Sequence, residues 1–575
     1  YLVLAPLVID SIYSYASMRD GEKLLIVALT VWRIVHGQIW ISVSRYLTAK
    51  GAKRIVNKSI EFDQVDRERT WDDQVIFYSL GFYLAKLYVL GTNTLPFWRL
   101  DGMVLVVLLH VGPVEFIYYW FHRALHHHFL YSRYHSHHHS SIVTEPISGK
   151  LLLKLYIYSL TKLIKTVYTT LPIITHSPND FLMWHAAASI FLYVSYIDFM
   201  NSMGHCNFEL IPRSFFSLFP PLKYLLYTPS FHSLHHTQFR TNYALFMPMY
   251  DYIYGTNDKS SDSLYETSLE QEEEKPDAIH LTHLTSLDSI YHFRLAFSSL
   301  SSHPLSSRCY LILMRPLTII ISFILTSFSS RTFVFERNRF RDLTIHSHLL
   351  PKFSSHYKSQ QQKESINKMI ETAILEADKK DGEELNGYGE MYVRKHPKLK
   401  IRIVDGSSRI TKVARAIVIS LCQNGIKVMV LREEEHSMIA GFIGGHCKEN
   451  LVLTTNYSPM IWLVGDRLSK EDQKKARKGT LFIPFSQFPP SKLLKDCFYH
   501  TTPAMIIPDS AQNIDSCENW LGRRVMSAWR VGGIVHALEG WEEHECGLEV
   551  PMANPPRCAL RNGFKPLVLP SLETK

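Results

Sequence analysis

Long apolar runs crowd the first 335 positions of this chain, whereas the rest alternates short apolar blocks with polar stretches. A helix needs about 20 apolar residues to cross a bilayer core. Residues 24–47 reach that length with Arg33 and His36 inside, and the basic TAKGAKR that follows predicts a cytosolic flank. Residues 75–91 are long enough to span or to re-enter. Residues 102–121 carry only His110 and Glu115 as polar interruptions, where a soluble helix would show a polar face. Two further apolar stretches, 151–174 and 181–200, are joined by the turn THSPND, and 309–328 is a later candidate span kinked at Pro316.

Beyond that point the pattern changes. The stretch QQQKESINKMIETAILEADKKDGEEL is polar and helix-favouring, and it reads as a solvated helix and linker. From about residue 398 strand and helix signals alternate: KIRIVDGSS as strand and turn, TKVARAIVISLCQNG as an amphipathic helix, then IKVMVL, MIWLVGD and GTLFIPF as strands. The fold class expected is an α-helical integral-membrane histidine-box domain at 1–257 followed by a soluble, Rossmann-like α/β domain at 398–575. A connecting region at 258–397 holds the candidate span near 309–328. The glycine cluster GFIGGHC at 441–447 lacks the strand–turn–helix setting of a dinucleotide fingerprint, so a structural or docking role is expected for this domain.

Composition adds limits. The chain opens at Tyr1 rather than Met, so its natural start is expected upstream. The net charge of +9 is scattered among acids with no basic run, which argues against nucleic acid and suits flanks that meet anionic lipid. Eight cysteines include no C-x-x-C pair, as in a reducing, cytosol-facing chain, and Cys517 and Cys546 read as buried or free thiols. The acids of EGWEEHEC read as a solvated face.

The chemistry lies in the histidines. His122 and His126 are four apart, His135, His138 and His139 are related by three and four, and HSLHH repeats that spacing at His232, His235 and His236. On a helix these offsets share a face, so each cluster is expected to aim its imidazoles at one point. Eight such nitrogens exceed what one tetrahedral zinc needs and suit two metal ions with open positions. Two apolar stretches lie between His139 and His232, so two crossings would return the chain to the same side of the bilayer. His36, His110, His176 and His185 read as core or interface residues. His127, His128 and His137 fall off the register and read as solvated or as supports for the ligands.

HRALH, HSHHH and HSLHH resemble the three boxes of the fatty acid hydroxylase and sterol desaturase superfamily of membrane di-iron enzymes. The texts LYSRYHSHHHSSIVTEP, YIDFMNSMGHCNFELIP, YTPSFHSLHHTQFRTNYALFMPMYDYIYGT and SCENWLGRRVMSAWRVGGIVHALEGWEEHECG are similar to plant eceriferum-type aldehyde decarbonylases of cuticular wax synthesis. The resemblance implies as metal ligands His122, His126, His135, His138, His139, His232, His235 and His236, with His205 at a further ligand position and Asn201 one turn before it. It implies an enzyme that converts very-long-chain aldehydes into alkanes one carbon shorter with two iron ions and oxygen. Electrons would come indirectly from NAD(P)H through an external cytochrome b5-type donor. It further implies a paralogous wax-synthesis subunit as partner, membrane lipid around the chain, and a homodimer as a candidate assembly. The location implied is the endoplasmic reticulum membrane, multi-pass, with boxes and C-terminal domain facing the cytosol. Rival readings are a lipid or sterol hydroxylase or desaturase, and a non-catalytic scaffold of a wax-synthesis complex.

The chain departs from that family in places. After TEP the family continues with H-P-x-x-E-H, whereas here 147–175 reads ISGKLLLKLYIYSLTKLIK onward, with no His between His139 and His176. Lys154, Lys162 and Lys165 inside an apolar run cost roughly 2.5–3.5 kcal/mol each at a bilayer centre. KKDGEELNG and DGSSRITKVARA each read as shortened. A misjoined gene would explain all three, and a transcript that encodes these segments as written would refute it.

Overall fold

The computed structural model describes residues 2–19, 21–58, 73–87, 100–149, 187–282, 284, 319–320, 323–324, 331–353, 356, 359–380, 390–404, 427–430, 451–453, 457, 459–465, 468–485, 493–511, 518, 521–522, 524–545 and 555–567. The chain divides into two compact units, Tyr1–Glu274 with Phe293–Ser299, and Lys275–His292 with Leu300–Lys575.

The first unit is helical. Helices α1 (Ala5–Met18), α2 (Glu22–Lys50), α3 (Asp73–Ala85), α4 (Leu100–Leu109) and α5 (Glu115–Leu125) precede the second histidine box. The stretch expected as one span at 102–121 is two α-helical pieces joined by a π turn, His110–Val114. Pro113 inside it lacks an N–H and crowds the preceding turn, which is why the ladder shifts there. Helix α6 (Ala187–Gly204), α7 (Pro229–Gln238), the short α8 (Met249–Ile253) and α9 (Ser261–Glu270) follow. Among the described residues, two stretches are long and apolar enough to cross a membrane, Lys23–Lys50 and Leu100–Leu125. The candidate span at 151–174 lies outside the described residues, as do most of 309–328 and the ends of 75–91 and 181–200.

Helices α2 and α6 are tied by a buried ion pair in which Arg33 Nε and Nη2 donate to Asp198 at 2.6 and 3.0 Å. Val114, Tyr118, Met200, Tyr227, Phe231 and Phe246 form the main core of the unit. Gly204 has a structural reason: a Cβ there would lie 1.9 Å from the Tyr227 hydroxyl, which donates to the Met200 carbonyl at 2.7 Å.

The second unit is α/β. Strand β1 (Ala278–Leu281) pairs in parallel with β3 (Leu343–Leu349), and β2 (Phe333–Phe340) pairs antiparallel with β3 across the turn Arg341–Asp342. These strands fall in the stretch read as connecting chain, although TFVFERNRFRDLTIHSHLL alternates in the manner of a hairpin. Strands β4 (Val428–Val430), β5 (Leu451–Leu453), β6 (Ile461–Val464), β7 (Leu481–Pro484) and β8 (Phe498–Tyr499) form a parallel sheet in the order β5-β4-β6-β7-β8. Strands β9 (Ala504–Ile506), β10 (Val525–Ser527) and β11 (Lys565–Pro566) form a third sheet in the order β10-β9-β11. The strands expected at IKVMVL, MIWLVGD and GTLFIPF are β4, β6 and β7. KIRIVDGSS instead contributes a single bridge, Val404 to Glu545, and the helix expected at TKVARAIVISLCQNG lies outside the described residues.

Two expectations change here. The polar helix at Gln360–Lys380 is not simply solvated, because its Ile366, Met369 and Ile374 are buried, and it packs with Ile279, Leu281, Tyr392 and Ile401. A minority of apolar positions at helical spacing suffices when they fall on one face. EGWEEHEC is only partly a solvated face: Glu542 and Glu543 are exposed, but Glu545 is buried, and His544 Nδ1 accepts from the Ile403 N–H at 3.1 Å.

Candidate metal centre

Among the described residues, nine imidazoles gather in the first unit as two groups. His122, His126, His135, His139 and His235 form one, His138, His205, His232 and His236 the other, and within each group one nitrogen per ring lies within 4.8 Å of all the others. The groups adjoin, with His138 and His236 rings 4.5 Å apart and His139 and His236 rings 4.7 Å apart. Every member is buried except His126, which is half-buried.

The boxes do not each converge on one point, as the spacing predicts. His138 parts from His135 and His139, and His235 parts from His232 and His236. Adjacent residues on a helix diverge by about 100°, so His235 and His236 on α7 face different groups. The second box is not on a regular α-helix at all. It runs through a π turn, Tyr131–His135, and a 3₁₀ turn, His138–Ser140, which open the angles between its rings.

Backbone carbonyls orient four rings. His122 Nδ1 donates to Tyr243 O at 2.8 Å, His235 Nδ1 to Thr241 O at 2.7 Å, His236 Nδ1 to Ser141 O at 3.1 Å and His205 Nδ1 to Asn201 O at 2.8 Å. A carbonyl only accepts, so each of these rings carries its proton on Nδ1 and turns a bare Nε2 inward. Nε2 atoms then meet: His122 and His135 at 3.1 Å, His135 and His139 at 3.0 Å, His126 and His235 at 3.2 Å, and His205 and His232 at 3.1 Å. Both nitrogens of His138, and Nε2 of His236, are buried with no hydrogen-bond partner. Imidazole nitrogens bound at about 2.0–2.1 Å from one ion lie about 3 Å from each other. The spacing and the orphaned nitrogens therefore fit metal ions, two of them by grouping.

Burial keeps the rings neutral, as ligands must be. It pushes His126 down to about 3, with the neighbouring His122 and Arg240 adding to the shift. His138, His232, His235 and His236 fall well below the ordinary imidazole range, first by burial and then by the surrounding rings. His135 and His139 shift the same way for the same reasons.

Supporting residues were not evident from spacing. Asp251 accepts from the Tyr243 and Ala244 N–H groups at 2.8 Å each, fixing the loop whose carbonyls hold His122 and His235. Thr228 caps α7, accepting from Phe231 N at 3.1 Å. Glu209 accepts from the Ser230 N–H and hydroxyl at 3.2 and 2.8 Å, joining the α7 N-terminus to the chain just after His205. Burial raises the Glu209 carboxyl to about 7 against those hydrogen bonds. A Cβ on Gly149 would lie 2.7 Å from His205 Nδ1, so only glycine lets that backbone pass. Asn201, expected near a ligand position, donates its amide to Gly149 O at 3.3 Å. Asp251, Thr228 and Glu209 sit within or beside the family-like texts, which was the available signal.

The other histidines part from the centre. His127, His128 and His137 are exposed and belong to neither group. His36 accepts from Trp40 Nε1 at 2.9 Å, and His110 lies 3.3 Å from the Glu115 carboxylate. His176, His185, the cluster GFIGGHC, Cys517, Cys546 and the altered segment from residue 150 onward lie outside the described residues.

Comparison with known proteins places these features. Residues 107–256 match the fatty acid hydroxylase family and residues 405–566 the CER1-like C-terminal domain. Protein CER1-like 2 of Arabidopsis thaliana is 72% identical over 611 aligned residues, covering 100% of this chain and 97% of that protein. An alignment of 611 positions on a chain of 575 means that the relative has residues absent here. Very-long-chain aldehyde decarbonylase CER1 of Arabidopsis thaliana is 48% identical over 99% of this chain and 96% of its own length. Very-long-chain aldehyde decarbonylase GL1-5 of Oryza sativa subsp. indica is 48% identical over the same shares. No solved structure matches. Two apolar stretches of spanning length among the described residues and this hydroxylase domain make it a membrane-associated chain of an enzyme family. The chain belongs to the CER1-like family, with an N-terminal fatty acid hydroxylase domain and a distinct CER1-like C-terminal domain.

Proposed function

We propose that this chain forms alkanes one carbon shorter from very-long-chain aldehydes in wax synthesis, using two iron ions held by His122, His126, His135, His139 and His235 on one side and His138, His205, His232 and His236 on the other. The observation that carries the reading is the pair of adjoining, buried, neutral imidazole groups whose bare nitrogens face one another. The relatives named aldehyde decarbonylase supply the substrate class.

When bound, the irons supply oxygen activation and redox capacity. The chain's own residues do the rest. Carbonyls of Tyr243, Thr241, Ser141 and Asn201 hold proton positions on Nδ1, so the ligand tautomers are set before metal arrives. Tyr118 and Tyr227, with rings 5.2 and 5.7 Å from His122 and His232, line the apolar side and exclude water. Leu100, Val104, Val107, Leu108, Phe116 and Ile117 turn outward from α4 and α5, a surface suited to lipid and to a hydrocarbon substrate arriving from it.

The same reading places the chain in the endoplasmic reticulum membrane as a multi-pass protein with its histidines at the cytosolic face. It also gives the chain a paralogous partner that supplies aldehyde and a cytochrome b5-type electron donor. We read the parallel order β5-β4-β6-β7-β8 as a doubly wound, Rossmann-like sheet. The test is expression with partner and donor in a host without wax alkanes, followed by hydrocarbon profiling and iron analysis. Alkanes one carbon shorter than the aldehyde, with two irons per chain, are expected. Hydroxylated lipid without alkane would favour a lipid hydroxylase, and well under two irons would favour a scaffold.

A further inference from the structure

An unbroken run of aromatic rings leaves the five-histidine group. The Tyr243 ring lies 5.2, 5.7 and 5.9 Å from the rings of His126, His235 and His122. Tyr119 follows at 6.2 Å, and stacks on Tyr254 at 5.2 Å and 21°. Trp120 lies 5.5 Å from Tyr119 and 5.0 Å from Tyr254. The inner members are buried, Tyr119 at 0% and Tyr243 at 5% exposure, while Tyr254 and Trp120 reach the surface at 39% and 42%.

A proton route meets this chain at Tyr119. Its hydroxyl is 3.0 Å from Thr256 Oγ1, and Thr256 donates to Asp251 Oδ1 at 2.6 Å. Thr256 has one hydroxyl proton and spends it on Asp251, so Tyr119 is the donor of the first bond. Arg123 Nη1 donates to the Tyr119 oxygen at 3.2 Å, which leaves the phenol proton directed at Thr256. Asp251 also fixes the Tyr243–Ala244 backbone, but that role does not require the Tyr119–Thr256–Asp251 alignment of donors.

We propose that Tyr243, Tyr119, Tyr254 and Trp120 form an electron-transfer chain between the five-histidine group and the protein surface, with Tyr119 as its proton-coupled station. This rests on the redox reading of the centre given above. Tyr119 gives one electron, through Tyr243, to an oxidised metal ion, which is reduced by one electron. Its O–H bond breaks, the proton passes to Thr256 Oγ1, and the Thr256 proton passes to Asp251, leaving a neutral tyrosyl radical and a protonated carboxyl. One electron from an external one-electron reductant, entering at Tyr254 or Trp120, then restores the phenol as both protons return. Electrons thus run inward for catalysis, and a stray oxidising equivalent runs outward before it damages the ligands.

The test uses the full chain in detergent. Tyr119→Phe keeps the ring and removes only the hydroxyl, and Thr256→Val breaks the proton route while leaving Tyr119 in place. Reduced, iron-loaded protein is mixed with oxygen without aldehyde, freeze-quenched and read by electron paramagnetic resonance. A tyrosyl signal is expected in the parent, falling at least about tenfold in both variants at equal iron content. In parallel, a ruthenium photo-oxidant is tethered at Ala124→Cys, one helical turn past Trp120, in metal-free protein. The same loss of radical is expected in Tyr119→Phe on that background. Equal radical yields with and without the Tyr119 hydroxyl, in both experiments, overturn the chain. Loss of the photo-generated radical in a protein that takes up no iron supports the chain and instead sinks the functional reading.

Discussion

The two units of this chain distribute their buried polar groups differently. In the second unit they are dispersed: Arg530 donates to Ser347 at 3.1 Å and lies 3.7 Å from Glu336, Asn338 is buried with neither side-chain polar atom hydrogen-bonded, and the sheet around Trp462 and Phe482 is apolar. In the first unit, nine imidazoles are packed with nitrogen facing nitrogen, and His138 has no partner on either side. Unmatched burial costs stability unless something completes it. The concentration of nine rings at one place supports the reading proposed above, a site that bound metal would complete.

Four experiments would break or sharpen that contrast. The largest effect is expected from His138→Ala, which should reduce alkane formation to background and lower iron content, whereas His544→Ala in the second unit should leave iron content unchanged. Next, Glu336→Ala removes the carboxylate 3.7 Å from buried Arg530 and should cost about 3–5 kcal/mol of the second unit's stability without changing iron content. Calorimetry alongside iron analysis reads both, and a loss of iron would show that the units do not behave separately. Gly149→Ala forces a Cβ to within 2.7 Å of His205 and should lower metal affinity by ~10–100-fold, as loss of a ligand's support does. Titration of the metal-free protein with ferrous iron measures it.

The smallest effect concerns pH. The buried histidines are depressed below their unfolded values, so the unfolded chain takes up protons that the folded chain refuses. Their contribution to stability is full above about pH 6.5 and is lost as pH falls through that value toward the folded values. Thermal unfolding of the metal-free first unit should therefore come earlier at pH 5 than at pH 7. Bound iron should shrink the difference, and an unchanged midpoint would contradict the neutral-ring account.

Much of the centre was legible in sequence because histidine spacing on a short segment limits which rings can converge. His122 with His126, and His232 with His236, each stay together for that reason. The division of His138 from His139, and of His235 from His236, was not legible. It depends on turns at Tyr131–His135 and His138–Ser140 and on which neighbour each helix face meets. Asp251 and Gly149 act through backbone carbonyls and close approach, which leave no periodic trace. In the second unit, the central strands showed as short apolar runs, but the hairpin of β2 and β3 hid among Arg and His residues.

By itself, the sequence determined the clustering of candidate metal ligands, the apolar lengths suited to lipid and the order of the two units, because these follow from side-chain type and local spacing. Only the tertiary structure decided that the nine rings form a five and a four, which carbonyls fix their protons, and that an aromatic file leads from one group to the surface. Several of those are contacts between residues more than a hundred positions apart, such as His122 with Tyr243 and Tyr119 with Thr256. They depend on how helices pack in three dimensions, which no local pattern encodes.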